Sequence, residues 1–151
     1  MAQGDFQLFE EFALSLGRGD HDLTSDTISV ILITTLPTAS DTTPDRADYT
    51  ECSAGGSYAT GGIALTRTYT ESGGVGTFDF TNDPEWAAAA SSPENIKAAL
   101  FVNDTHTGTT DAIGFTDLTT DNGTTAISMV AGKIKVVANP SGMFTVTVNA
   151  A

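Results

Sequence analysis

Residues Thr27 to Thr35 form an uncharged run that is β-branched at nearly every position. Such side chains are stiff about χ1 and fit the pleated surface of a strand better than a helix. Polar and apolar residues do not alternate cleanly here, so the segment reads as a central strand covered on both faces. A strand of that kind needs a layer of material on each side, and this requirement limits the folds open to the chain.

The remaining elements are strands and turns at short spacing. Ile63, Leu65, Arg67 and Tyr69 alternate with Ala64, Thr66 and Thr68, and Val75 to Phe80 pairs with this strand across Glu71-Ser72-Gly73-Gly74. Ala98 to Val102, Asp111 to Leu118 and Thr124 to Val130 read as further strands, the last two divided by the turn signature Asp121-Asn122-Gly123. Lys133 to Val137 and Phe144 to Val148 flank Asn139-Pro140-Ser141-Gly142. That pattern predicts a C-terminal hairpin over 132–149, with Phe144, Val146 and Val148 on its buried face. Residues 36–48 are a long polar loop with two prolines. Ser92 and Pro93 suit the cap and first position of a helical turn over 93–97.

Near the start, Phe6, Phe9, Ala13 and Leu16 recur at helical spacing beside Phe12. This predicts an amphipathic helix over 6–16 within an N-terminal segment 1–17, with Asp5 as N-cap and Gly17 and Gly19 as the stop. So short a helix is marginal alone and must pack on something, either its own sheet or a neighbouring subunit. Phe6, Phe9, Phe12 and Leu16 are therefore candidate interface residues. Taken together, residues 1–151 read as one mainly β domain, a β-sandwich or open barrel with an N-terminal amphipathic helix.

Six Lys and Arg stand against 19 Asp and Glu, a formal net charge of −13. Nucleic-acid binding requires cations that displace counterions from phosphate, and six scattered ones form no stripe. A nucleic-acid partner is excluded on this ground, and an anionic membrane surface is disfavoured with it. The longest apolar run, Ile28 to Ile33, is far short of the ~20 residues that span a bilayer. Met1 to Phe6 carries no basic leader, so synthesis in a host cytoplasm without a secretion signal is expected. Cys52 is the single cysteine, read as a small buried apolar side chain.

No nucleophile elbow, phosphate loop or zinc-protease motif occurs, so neither an enzyme nor a cofactor is expected. His21 and His106 lie far apart in sequence, each in a polar turn beside acidic residues. Asp20, Asp22 and Asp26 are the closest-spaced carboxylates and the first calcium candidates, although the spacing does not match an EF-hand. The alternative is a solvated acidic turn. Tyr58 lies between Gly55-Gly56 and Gly61-Gly62, where it anchors the loop either to the core or to a partner.

The order of these motifs resembles a group of small structural proteins of tailed-bacteriophage virions, the head decoration or cement and tail-associated proteins. The likeness is carried by Phe6, Phe9 and Phe12, then Gly19-Asp20-His21-Asp22-Leu23, then Asp26-Thr27 opening the apolar strand. After them come Pro37-Thr38-Ala39-Ser40-Asp41-Thr42, Gly55-Gly56-Ser57-Tyr58 and Trp86. Ala98 to Asp104, Ile113-Gly114-Phe115 and Phe144 to Val148 complete it. The resemblance implies a non-catalytic virion component, foremost a cement protein on the outer capsid surface that binds the major capsid protein. Self-association is expected, with a trimer first because icosahedral shells offer three-fold positions. A tail or baseplate component is the alternative. A carbohydrate- or receptor-binding module is the third reading and would require exposed aromatics.

Overall fold

The computed structural model describes residues 3–148. The chain is a mainly β single domain of three antiparallel sheets. The largest sheet has the order β1-β8-β7-β2-β3, made from β1 (Phe6–Leu8), β2 (Ile28–Ile33), β3 (Ile63–Ala64), β7 (Ala98–Asn103) and β8 (Ala112–Asp117). A second sheet has the order β10-β5-β4, from β4 (Arg67–Ser72), β5 (Val75–Phe80) and β10 (Phe144–Thr147). A two-stranded ribbon pairs β6 (Glu85–Trp86) with β9 (Ile134–Lys135).

Every residue of β2, β7 and β8 is buried. The pleat sends alternate side chains to opposite faces, so two separate apolar layers form. On one face Ile28, Val30, Leu32, Ala99, Phe101 and Ile113 meet Phe78, Phe80, Trp86 and Ile134 from the other sheets. Phe144 is the junction of this layer. Its ring stacks on Phe78 at 5.0 Å and meets Phe12 edge-on at 5.3 Å. On the opposite face Ile31, Ile33, Ala98, Leu100, Val102, Ala112 and Phe115 have no second sheet above them. Phe9 is buried there, with Leu36, Ala39 and Tyr49 from the 36–49 loop.

The polar loop is thus a strap across the second face. Pro37 and Pro44 are buried, and the Pro44 carbonyl accepts the Ala112 N–H at 3.0 Å. Arg46 fastens the strap with its backbone N–H to Asp111 Oδ1 at 2.7 Å and a side-chain ion pair to Asp104 Oδ1 at 2.7 Å. Tyr49 stacks on Phe9 at 6.0 Å and donates its hydroxyl to Asp41 at 2.7 Å.

Two turns depend on glycine. Gly73 and Gly74, at φ 61° and 83°, close the β4–β5 hairpin as a two-residue loop with both residues left-handed. Gly62, at φ +66°, leaves no room for a side chain, since a Cβ there would lie 1.9 Å from the Val30 carbonyl oxygen. That close approach lets the chain enter β3 directly beside β2. The single strand expected from Ile63 to Tyr69 is broken at Leu65 and Thr66, as corners between packed sheets require.

The expected helix over 6–16 is displaced and shortened. Residues 6–8 form β1, and α1 spans Phe12–Arg18. Phe6 and Leu8 also satisfy a period of two, with Gln7 exposed, and the open edge of β8 offers backbone partners that a helix cannot use. Glu11, not Asp5, is the N-cap; Gly17, expected as part of the stop, lies inside the helix, and Gly19 ends it in the left-handed conformation as expected. Residues 1 and 2 of the N-terminal segment lie outside the described residues. The C-terminal hairpin over 132–149 does not form: β9 pairs with β6, and β10 pairs with β5. Residue 149 of that expectation lies outside the described residues. Thr124 to Val130 contributes one isolated bridge, Ile127 to Ile96, in place of a strand. Ile96 is fully buried, which holds 93–97 extended and not helical.

Phe9→Asp or Phe12→Asp is expected to abolish folding, because each buries a carboxylate at a cost of several kcal/mol against a total stability of about 5–15 kcal/mol. Leu14→Asp, at a side chain that is 50% exposed on α1, is expected to stay within about 0.5 kcal/mol of wild type. Urea denaturation followed by Trp86 fluorescence distinguishes the two cases.

Candidate functional site

At the end of the large sheet, β7 runs out at Asn103 and the chain turns toward β8. Asn103 follows Phe101 by two residues, so the pleat sends its side chain to the face that carries α1. It is fully buried there. Its Oδ1 accepts the backbone N–H groups of Thr105 at 2.9 Å and His106 at 3.1 Å. Its Nδ2 donates to Asp26 Oδ2 at 2.7 Å and lies 3.0 Å from His21 Nδ1. One amide thereby ties the loop before β2 to the loop after β7.

The two histidines meet at this point. The His21 ring stacks on Phe12 at 5.5 Å and meets His106 edge-on at 5.6 Å. His21 is only 3% exposed, and its Nε2 is buried with no hydrogen-bond partner. Burial holds the His21 pKa below the ordinary 6.5, and His106 pushes the same way. Asp20, Asp26 and a backbone interaction with Thr110 oppose them without prevailing. Asn103 stands between Asp26 and His21, so the carboxylate does not bond to the imidazole as the orienting acid of a general base does. The nearest hydroxyl to the other histidine is Thr110 Oγ1, 3.5 Å from His106 Nε2, a weak contact for an activated nucleophile.

Two of the calcium candidates, Asp22 and Asp26, hold the turn together. Asp26 Oδ2 also accepts the Asp22 backbone N–H at 2.8 Å. Asp22 accepts from Thr24 and Ser25, and the Thr24 hydroxyl foremost holds its pKa down to about 2. Asp20, Asp22 and Asp26 do border an open depression of about 250 Å³ with His106. Among the described residues, no group of three or more His, Cys, Asp or Glu side chains is arranged to hold a metal ion.

The interface candidates fall mainly into the core. Phe9 and Phe12 are buried, and Phe6 and Leu16 are half-buried against the same layer. Tyr58 is a core pin, the first of its two expected roles, and is not available as an interface residue. Its hydroxyl accepts the Leu32 N–H at 3.0 Å and donates to Glu51 Oε1 at 2.6 Å, and its ring leans on Trp86. Trp86 is 1% exposed, so neither of these aromatics lies on a sugar-binding surface. The exposed large apolar side chains among the described residues are Leu14, Val137 and Val148. Cys52 is buried, and burial foremost, with Glu51 beside it, raises its thiol pKa to about 11.

Most of the basic side chains are engaged in ion pairs within the chain. Arg18 pairs with Glu11, Arg46 with Asp104 and Asp111, Lys133 with Glu85, and Lys135 with Asp83. Arg67 donates its Nε–H to the Asp26 carbonyl. Most of the outward charge is therefore anionic. No helix of the described residues is long and apolar enough to cross a membrane.

No protein-family model matches the chain, and comparison with curated proteins and with solved structures finds no match.

Asn103→Ala removes four hydrogen bonds, one of them to a carboxylate, and is expected to cost roughly 2–4 kcal/mol, measured by urea denaturation. Cys52 in the native protein is expected to resist a thiol reagent at pH 8 and to react at once in denaturant, because the thiolate is the reactive form. Rapid modification of the folded protein would contradict its burial.

Proposed function

We propose that this chain is a structural protein of a tailed-phage particle, a cement or decoration protein that binds the major capsid protein from the outside of the shell. The observation that carries the reading is the charge arrangement. A net charge of −13 sits on a body whose cations are mostly paired internally, which suits an outer face and opposes contact with packaged DNA. The resemblance of the motif order to phage virion proteins points the same way. The two-sided burial of the large sheet adds to this support, since a body with no slack in its core transmits load without deforming.

Cementing needs no turnover. A protein that binds the assembled shell and not its dissociated parts stabilises the shell by mass action, about 2.7 kcal/mol per site at a hundredfold excess over its dissociation constant. Repeated over many sites, modest contacts resist the pressure of packed DNA. Since Phe9, Phe12 and Tyr58 belong to the core, contact with the shell and with sister copies, a trimer first, falls to side chains such as Leu14 and Val148. Interface cores draw on such exposed apolar groups, with Asp and Glu left at the rim.

The test uses particles that lack the protein, re-supplied with wild type, Leu14→Asp or Val148→Asp, with occupancy and the temperature of DNA release recorded. Depleted particles are expected to release DNA at lower temperature, wild type to restore it, and at least one variant to bind poorly while remaining folded. Identical release temperatures with and without the protein would remove the cement function and put the tail component first.

A further inference from the structure

The tautomer of His21 follows from hydrogen bonds alone. Asn103 Oδ1 accepts two backbone N–H groups, so the amide cannot flip, and its other end must be the NH₂ group. One of its two protons goes to Asp26 Oδ2. The other points at His21 Nδ1, which must therefore be the bare, accepting nitrogen. The His21 proton is on Nε2, a buried atom with no hydrogen bond of ordinary geometry. A second proton could enter only at Nδ1, where it would face the Asn103 N–H and break the bond that ties the two loops. A charge on His21 would be poorly solvated in place. Phe12 covers one face of the ring, and His106 lies edge-on to it.

We propose that the His21–Asn103 contact is an acid-sensitive latch: protonation of His21 releases the 20–26 loop and α1 from the end of the large sheet and uncovers Phe12 and Leu16. The groups around the ring are His106 from the β7–β8 loop, Asp20, Asp22 and Asp26 from its own loop, Phe12 from α1, and Tyr69 of β4, which borders the same surface groove. Asp20 and Asp26 favour the charged ring, while burial and His106 outweigh them. The closed latch therefore binds fewer protons than the open one. Closure is complete above the ordinary histidine value of 6.5 and weakens as pH falls below it toward the lower folded pKa. The latch is local, because β2 and β7 are joined along all six residues of each and do not depend on His21.

Two measurements on the full chain test this. Nitrogen NMR of the histidines at pH 7.5 is expected to show His21 neutral with its proton on Nε2; a proton on Nδ1 overturns the proposal. Hydrogen exchange at pH 7.5 and 5.0, corrected for intrinsic rates, is expected to show amides of residues 12–26 opening at least about tenfold more at pH 5.0, as single-proton linkage gives per unit of pH, with β2 and β7 unchanged. His21→Asn keeps an acceptor near Nδ1 and His21→Phe keeps the ring. Neither titrates, so in both the ratio between the two pH values is expected to fall to about one, whatever the baseline. A ratio near one in wild type overturns the latch. So does a wild-type ratio that survives in the variants, which would place the response on a group other than His21 or on global unfolding. If neither variant folds, the tautomer and the wild-type exchange ratio decide.

Discussion

Strands β2, β7 and β8 expose neither face to water, and the rest of the molecule is disposed to keep it so. One face is covered by conventional means, a second sheet and a two-stranded ribbon packed through Phe78, Phe80, Trp86 and Ile134. The other is covered by Phe9 from the segment before α1 and by a single pass of chain over 36–49, with Leu36, Ala39 and Tyr49 as its apolar points. A strap of that kind buries less apolar area than a sheet and cannot satisfy its own backbone by pairing. Its polar residues supply the difference. Arg46 reaches two carboxylates of the β7–β8 loop, Asp41 takes the Tyr49 hydroxyl, and the Pro44 carbonyl accepts the Ala112 N–H. The polarity of the 36–48 segment is what fastens it.

The same constraint accounts for the cluster around Asn103. A sheet buried on both faces has buried ends, and chain leaving it must find partners for its N–H groups before reaching solvent. Asn103 meets that need by accepting two backbone donors in its own turn, and its remaining protons then reach across to Asp26 and His21. The polar network therefore has a structural cause, and the fixed tautomer of His21 follows from it.

Much of this was legible in the sequence. The lack of charge and the β-branching of Thr27 to Thr35 identified β2 and its two-sided burial, and Gly73-Gly74 marked the hairpin turn correctly. Periodicity failed where two periods fit the same residues. Phe6, Phe9 and Phe12 satisfy helical spacing, yet Phe6 and Leu8 also alternate, and only the open edge of β8 decides between them. It failed again for Phe144, Val146 and Val148, because alternation does not name a partner or an end: β10 joins β5 across the domain, not the neighbouring β9, and Val148, past the end of β10, is exposed and not on the buried face expected of it. The candidate site was the least legible part. His21 and Asn103 are 82 residues apart, and nothing local marks Asn103 as a hub. The signal that existed was weak, a buried strand ending in Asn-Asp with a histidine two residues on.

The proposed role ties these features together: a rigid acidic body with most of its cations in ion pairs of its own, placed on the outside of a shell. The most direct measurement is a difference map between particles with the protein and particles genetically deprived of it, computed from cryo-electron micrographs. The account predicts extra density on the outer capsid surface, repeated at symmetry-related positions and shaped like the two-layered domain described above. Extra density confined to the tail or baseplate, or none anywhere on the particle, would contradict it.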